Sequence, residues 1–499
     1  MKFLLLFFFL NFNLTGAQLP NIVFVLIDDM GWNDLGYMGS DLYETPYIDS
    51  LSAKGIRLTN AYAAAPLCSA SRAAILTGWS PARQHLHGVT PSKRTAKYES
   101  AFADYESWDV PAKMRRSKAM QVEVPIQLGQ LPLSSMTIAE RLKEKNYATG
   151  FFGKWHLGPD ADKHPDQQGF DVAVADTPLG FPKSYFAPYQ NPNLEDGPKG
   201  EYLTNRLTDE ACEFMRKSVS QKQPFFCYLS HYAVHGPWEA EAEDMAYFKN
   251  KLEPGMIHQN EIYAAMVKGV DDSIGKLQAT LRDLGIEKNT LIIFTSDNGA
   301  IGKKKTASDS PYVSRSIGLR GEKALTYEGG IRVPQFMVWP GQIHPAVVDV
   351  PVVGMDFYPT LLSVTGLEPA EDNPLDGVDL SPLFRGGSLD RTQLTFFMPH
   401  YMGLGGDEPV PSSGVIRQGD WKLIKFWQGG FRLYNLKDDL VEQHDLSAAM
   451  PEKVAALEQQ LMAELKRQNA FIPAINPDWD EAAFEKYRAQ RRGDKTSHK

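Results

Sequence analysis

The apolar run over residues 22–27, closed by Asp28 and Asp29, constrains the fold more than any other stretch of the chain. Ile22, Val23, Phe24, Val25, Leu26 and Ile27 follow one another with no polar alternation. Such a run predicts a strand buried on both faces, as in a parallel sheet covered by helices. Ligands of α/β sheets gather outside the carboxyl ends of the strands, where these two carboxylates would stand. An Asp-Asp pair is equally compatible with a turn or a helix cap, so it acquires meaning only with partners elsewhere. A second run, 289–295, ends in Ser296-Asp297-Asn298-Gly299. Two strand-end pairs of oxygen donors can meet at one sheet edge. An all-oxygen set favours a hard cation, Ca2+ or Mg2+, over zinc.

The remaining pattern alternates helix and strand. Residues 45–55 carry proline in a first turn and glycine at the end, which predicts a helix. Helices are also expected over 137–145, 207–219, 263–284 and 355–365, and strands over 147–152 and 224–229. Beyond about Arg385 the texture changes. Strand-like runs over 413–427 surround a turn at Arg417-Gln418-Gly419-Asp420, with a further strand over 431–436 and a helix over 452–467. These segments predict a small antiparallel sheet with one packed helix, followed by a loose, charged tail.

A chain of 499 residues holds one large domain with a satellite, or two to three ordinary ones. Its net charge of -9 argues against a general nucleic-acid binder, while leaving open a locally basic site. Met1-Lys2, the apolar run 3–10 and Thr15-Gly16-Ala17 read as a secretory signal peptide over 1–17, with a mature start at Gln18. That run is too short to span a bilayer, and no later stretch is long and apolar enough. The expected location is secreted or periplasmic. Three cysteines make no disulfide framework in a chain of this size, so Cys212 and Cys227 are expected to be buried and reduced.

Cys68 opens a helical pattern closed by Gly78, with Ser69 and Ser71 at cap-like positions. Helix-start N–H groups lower a thiol's pKa and attract anions. Arg72 lies one turn on, along the same face. The stretch is either a buried cysteine with a salt-bridged arginine or a reactive residue beside an oxyanion site. Gly153-Lys154-Trp155-His156-Leu157-Gly158 follows a predicted strand, and alternation would put Lys154 and His156 on one side, suited to a doubly charged oxyanion. His231 and His235, after the strand 224–229, are candidates for acid–base work. The polar stretch 89–132, with Lys93, Arg94, Lys97, Lys113, Arg115, Arg116 and Lys118, is either a basic substrate loop or a solvated insertion.

Cys68-Ser-Ala-Ser-Arg72, followed by Ala-Ala-Ile-Leu-Thr-Gly78, resembles the signature of the formylglycine-dependent (type I) sulfatases of the alkaline-phosphatase-like superfamily. Ala70 stands where the commoner form has proline. The string 153–158 resembles the family's second signature. Residues 319–334 resemble another block, carrying Lys323, with Glu322 and Ala324 at positions where glycine is often seen. The blocks follow the family's order over nearly the whole chain.

The resemblance implies an α/β fold, with a large mixed sheet sandwiched by helices over 18–385, a C-terminal antiparallel sheet plus helix over 386–475 and a charged tail over 476–499. It implies conversion of Cys68 to formylglycine by a formylglycine-generating or maturase enzyme. One Ca2+ per chain would sit on Asp28, Asp29, Asp297, Asn298 and the modified Cys68. Cys68, Arg72, Lys154, His156, His235 and Lys323 would be catalytic, His231 structural, and Arg83 a brace for the Cys68 loop. The C-terminal part would lean over the site, which nominates His400 and Arg417 as sugar contacts. The implied reaction is hydrolysis of sulfate esters on a sulfated polysaccharide or its oligosaccharides, such as ulvan, carrageenan-type galactan or glycosaminoglycan. Two rivals stand beside it. A phosphodiesterase or phosphonate monoester hydrolase of the same superfamily would need more carboxylates and histidines for a two-metal site. A non-enzymatic binder of sulfated glycans would not require the acid–base set.

Overall fold

The run that ends in Asp28 is the centre of the main sheet. The computed structural model describes residues 18–90, 114–159, 163–302, 307–310, 312–371, 373–401 and 411–492. Eight strands build the sheet: β1 (Asn21–Ile27), β2 (Ile56–Leu58), β3 (Ala148–Gly153), β4 (Val172–Val174), β5 (Phe225–Ser230), β6 (Thr290–Ser296), β7 (Gln335–Val338) and β8 (Ala346–Val348). Their order across the sheet is β8-β2-β7-β6-β1-β5-β3-β4. β7 runs antiparallel to both its neighbours, while every other pairing is parallel, so the sheet is mixed.

The missing alternation in β1 has its cause in two apolar layers. Val23, Val25 and Ile27 enter one core, together with Leu207, Ala211 and Met215 of the helix Leu203–Ser220 and Met266, Val270 and Ile274 of the helix Glu261–Asp283. Ile22, Phe24 and Leu26 enter the other, against Ala70 and Ala73 of the helix Cys68–Thr77 and Phe357 and Leu361 of Phe357–Thr365. A helix-covered sheet has no wet face, so its strands tolerate no polar alternation.

Four further strands, β9 (Leu394–Met398), β10 (Ser413–Gln418), β11 (Trp421–Phe426) and β12 (Phe431–Asn435), form an antiparallel meander. Gly419, at a φ of 57°, makes the turn after β10. Here successive residues face two different apolar layers. Ile416, Leu423 and Leu433 face the helix Pro451–Arg467 through Leu457, Leu461 and Leu465. Val415, Ile424 and Tyr434 face the large domain at Tyr62, Ala74 and Ile331. Ala74 belongs to the Cys68 helix, so the small sheet is packed against the element that carries Cys68.

A buried polar clamp crosses that junction. Lys422 of β11 reaches Glu328 Oε1 at 2.8 Å and Glu442 Oε1 at 2.9 Å. Arg332 pairs with Glu328 Oε2 at 3.3 Å, and Tyr62 OH donates to the same oxygen at 2.7 Å. The Glu328 N–H donates to Glu442 Oε2 at 2.7 Å. The tail expected to be loose, 476–499, carries one helix among its described residues, and a short strand precedes it. Ala474–Ile475 pairs with Val122 and Glu123, and Glu481–Arg492 is helical, its Ala483 N–H donating to Asp480 Oδ1 at 2.7 Å. Cys212 and Cys227 are buried and reduced. No helix of the described residues is long and apolar enough to cross a membrane.

Candidate active site

β1 and β6 pair in parallel with Ile27 opposite Ser296, so Asp28-Asp29 and Asp297-Asn298 leave the sheet side by side. The Asp29 N–H donates to Asp297 Oδ1 at 3.2 Å, and Asn298 Nδ2 donates to Asp29 Oδ1 at 2.7 Å. The helix Cys68–Thr77 starts at this edge. Cys68 Sγ lies 3.6 Å from Asp28 Oδ1 and 4.0 Å from Asp29 Oδ1. One ligand atom from each of Asp28, Asp29, Cys68 and Asp297 falls within 4.8 Å of the others, and all four residues are buried.

Cations close the cluster. Lys154 Nζ donates to Asp28 Oδ2 and Lys323 Nζ to Asp29 Oδ1, each at 2.5 Å. Arg72 Nε donates to Asp297 Oδ2 at 2.8 Å, while its Nη1 donates to the Lys154 carbonyl at 2.8 Å and to Ser230 Oγ at 2.6 Å. Arg72 thus ties together the ends of β3, β5 and β6. His235 Nε2 stands 3.5 Å from Asp29 Oδ2, and its Nδ1 donates to the Gly236 carbonyl at 2.7 Å. That carbonyl accepts only, so Nδ1 keeps its proton and Nε2 is the atom free to exchange one.

Lys154 and His156 do reach one site, though not by strand alternation. β3 ends at Gly153, at a φ of 110°, and His156 adopts a left-handed turn at a φ of 57°. A methyl group at Gly153 would meet the Ser230 carbonyl at 2.0 Å, so only glycine allows this close approach.

The electrostatics are those of crowded, dry charges. Burial pushes Asp28 up to about 8 against the pull of Lys154, with Asp297 and Asp29 adding to the rise. Burial acts likewise on Asp29, but Lys323, His235 and Lys154 outweigh it and hold that carboxyl well below its usual range. Burial works against the Lys323 charge, yet Asp29, Cys68, Asp28 and Asp297 keep it firmly protonated. Burial drives His156 far below its ordinary value, with the neighbouring cations Lys154, Arg72 and Lys323 adding. His235 falls to about 3, from burial first, with Asp29 opposing and Lys323 and Lys154 adding. Burial raises the Cys68 thiol to about 12, overriding the activation expected at a helix start.

The donor set has room for a cation. Asp29 Oδ2 and Asn298 Oδ1 are buried acceptors with no hydrogen-bond donor, and Arg72 Nη2 is a buried donor with no acceptor. Buried polar atoms are rarely left so. Three carboxylates and an amide oxygen suit a hard divalent ion, so the residues present fit Ca2+.

Several expectations need correction. Arg417 is not placed to touch a sugar. It is 5% exposed, and its Nη1 donates to Asn60 Oδ1 at 3.1 Å and to Tyr62 OH beside the Glu328 clamp. Its β10 position faces the large domain, where an unpaired guanidinium would be costly. His400 is half-buried and lies 2.7 Å from His87 Nδ1. Its neighbour Met398 packs on Leu67 and Ala324, which adjoin Cys68 and Lys323. Arg83 forms a bidentate pair with Asp376, at 2.9 and 2.7 Å, and so braces the turn beyond the far end of the Cys68 helix. Ser69 and Ser71 do not cap that helix. Ser69 Oγ accepts from the Thr90 N–H at 3.0 Å, and Ser71 Oγ bonds Ala65. His231 is fully buried with Nε2 3.0 Å from Ser273 Oγ, away from the cations, as a structural residue would be. Lys93, Arg94, Lys97 and Lys113 lie outside the described residues, whereas Arg116 pairs with Glu123 at 2.7 Å.

Ser230 was not anticipated. Its Oγ accepts from Arg72 and donates to the Lys154 carbonyl at 2.8 Å. The available signal was its place at the end of β5, matching Asp28 and Asp297 at the ends of adjacent strands. The segment 177–183, which walls the site beside His156 and His235, carried no comparable signal because it is irregular.

The profile of the Sulfatase family matches residues 20–367, and that of "N-sulphoglucosamine sulphohydrolase, C-terminal" matches 321–470. N-acetylgalactosamine-6-sulfatase of Rattus norvegicus is 34% identical over 400 residues, covering 75% of this chain and 67% of the relative. Arylsulfatase A of Homo sapiens is 30% identical over 516 residues, covering 92% and 90%. Among solved structures, Ps i-CgsB in complex with k-i-k-neocarrahexaose superposes with a TM-score of 0.73 at 28% identity, covering 96% of this chain and 98% of that one. The fold is that of the alkaline-phosphatase-like sulfatases, and the chain belongs to the sulfatase family of sulfuric ester hydrolases.

Proposed function

We propose that this chain is an exported sulfatase that removes sulfate from a sulfated polysaccharide or its oligosaccharides. Cys68, oxidised to formylglycine by a maturase, would supply a hydrated aldehyde as the oxygen nucleophile toward sulfur. Ca2+ on Asp28, Asp29, Asp297, Asn298 and the modified Cys68 would supply charge neutralisation. The observation that carries the reading is the pair of buried acceptors without hydrogen-bond donors, Asp29 Oδ2 and Asn298 Oδ1, in the cluster where Cys68 Sγ lies 3.6 Å from Asp28 Oδ1.

The other roles follow from chemistry. Lys154 and Lys323, both held at the carboxylate cluster, balance charge on the sulfate oxygens as the ester bond stretches. Arg72 keeps three strand ends in register and positions Lys154 through its carbonyl. His235 directs Nε2 at the site because Nδ1 is committed to Gly236. A bound sulfate ester favours the imidazolium, which lets Nε2 protonate the leaving sugar oxygen. His156, neutral for want of solvent, accepts a proton as sulfate is released. The galactan and N-acetylgalactosamine named for the relatives make a galactose-type sugar the first class to test. The boundary near Arg385 and removal of residues 1–17 belong to the same proposal.

Mass spectrometry of the peptide spanning Cys68, from native material, tests the reading. Replacement of the thiol by an aldehyde or its hydrate is expected, together with turnover of aryl sulfate above that of an aryl phosphate diester. An unmodified thiol in protein that turns over neither ester would turn the proposal into a glycan-binding one. Preference for the phosphate diester would favour the rival hydrolase.

A further inference from the structure

We infer that Phe181 is the platform on which the sugar ring bearing the sulfate ester stacks, an assignment that rests on the sulfatase reading above. Phe181 is a large apolar side chain left 46% exposed at the wall of a buried charged site. Its ring lies nearly parallel to that of His235, at an interplanar angle of 9° with the centroids 6.2 Å apart. Gly180 presses on the other histidine: a methyl group there would stand 2.5 Å from His156 Cε1. Phe181 therefore borders His235, and its chain neighbour Gly180 borders His156, without a polar side-chain atom at either position.

Its position is fixed by ties to the His235 loop on both sides. Thr177 Oγ1 lies 3.3 Å from Tyr232 OH, and Tyr185 OH donates to the His235 carbonyl at 2.8 Å. The Tyr185 N–H donates to Glu239 Oε2 at 2.8 Å, and Pro182 is buried between these anchors. A packing role explains neither this scaffold nor the exposure of the ring it presents.

The chemistry points to a pyranose. The leaving oxygen must come within hydrogen-bond reach of His235 Nε2 to be protonated. The ring carrying that oxygen is then brought beside the neighbouring phenyl ring. Sugar C–H groups, polarised by the ring oxygens, complement the negative face of an aromatic ring.

The test uses the full, modified enzyme as wild type, Phe181→Ala and Phe181→Trp. The probes are N-acetylgalactosamine 6-sulfate and an ι-carrageenan oligosaccharide, with inorganic sulfate as a competitive inhibitor that lacks a sugar. Phe181→Ala is expected to raise KM for the hydrolysed saccharide roughly tenfold, with kcat within about twofold and the sulfate inhibition constant unchanged. Phe181→Trp is expected to restore KM. An unchanged KM in Phe181→Ala, or an equal loss of kcat in both variants, would overturn the platform and leave Phe181 a prop for His235. Hydrolysis of 4-nitrophenyl sulfate but neither saccharide would also overturn it, leaving the sulfatase reading intact. Wild-type protein inert toward every sulfate ester would remove that reading and the platform with it.

Discussion

Two of the buried charge clusters among the described residues are built to opposite ends. At the domain junction, Glu328 and Glu442 meet Lys422 and Arg332, and Arg417 joins through Tyr62. Each carboxylate there faces a cation, and even the backbone N–H of Glu328 is used. At the strand ends, Asp28, Asp29 and Asp297 are crowded together, and Asp29 Oδ2, Asn298 Oδ1 and Arg72 Nη2 make no hydrogen bond. A closed network holds the small sheet against the Cys68 helix and its neighbours in one arrangement. An open one waits for something from outside. The difference lies in what the carboxylates face, cations at the junction and one another at the strand ends, which separates a binding site from a clamp when both are equally buried.

Removing the reactive position should have the largest effect. Cys68→Ala is expected to lower kcat/KM by at least about 10³-fold, while the thermal midpoint of the metal-free protein stays close to wild type. Cys68→Ser, expressed beside a cysteine-type maturase, should be equally inactive. Near-normal turnover in either, measured on aryl sulfate, would place the chemistry elsewhere.

Next comes filling the open cluster. Ca2+ added to chelated protein at about 100 times its dissociation constant should stabilise it by about 2.7 kcal/mol, read by thermal unfolding, and restore turnover. Asp28→Asn should abolish both responses, and because it leaves the buried Lys154 short of its counter-charge the chelated variant should unfold earlier than chelated wild type. A calcium-dependent shift that survives in Asp28→Asn would separate the ion from this cluster.

The closed cluster should behave in the opposite sense. Glu328→Gln leaves Lys422 and Arg332 short of a counter-charge and is expected to cost about 3–5 kcal/mol in denaturant unfolding, with kcat of the folded enzyme within about threefold. A large loss of kcat at unchanged stability would mean that the clamp belongs to the active site after all.

The smallest effect is expected at the rim. His400→Ala should raise KM for a sulfated saccharide about threefold, well under the tenfold that corresponds to 1.4 kcal/mol, and leave the inhibition by inorganic sulfate unchanged. Arg417→Ala should lower stability without that change in KM, which would sharpen the contrast between a rim residue and a buried brace.

The sequence by itself determined the strands and what stands at their ends. Unbroken apolar runs before Asp28 and Ser296 could only be stable as strands covered on both faces, and the Cys68 string is specific enough to identify its helix. The C-terminal strand-like runs were legible as strands too, but not the layers they meet, because both faces of that sheet are covered. The tertiary structure decided which charges meet. Arg72 spans Asp297, Ser230 and the Lys154 carbonyl because β6, β5 and β3 end at one edge, and that depends on strand order. His156 enters the site through a left-handed turn that no alternation rule supplies. Arg417 is drawn into the junction because β10 turns that residue toward Tyr62. Phe181 became visible only as a ring left exposed beside His235. Periodicity records how a segment is buried, whereas the pairing of side chains hundreds of residues apart depends on the order and register of the whole sheet.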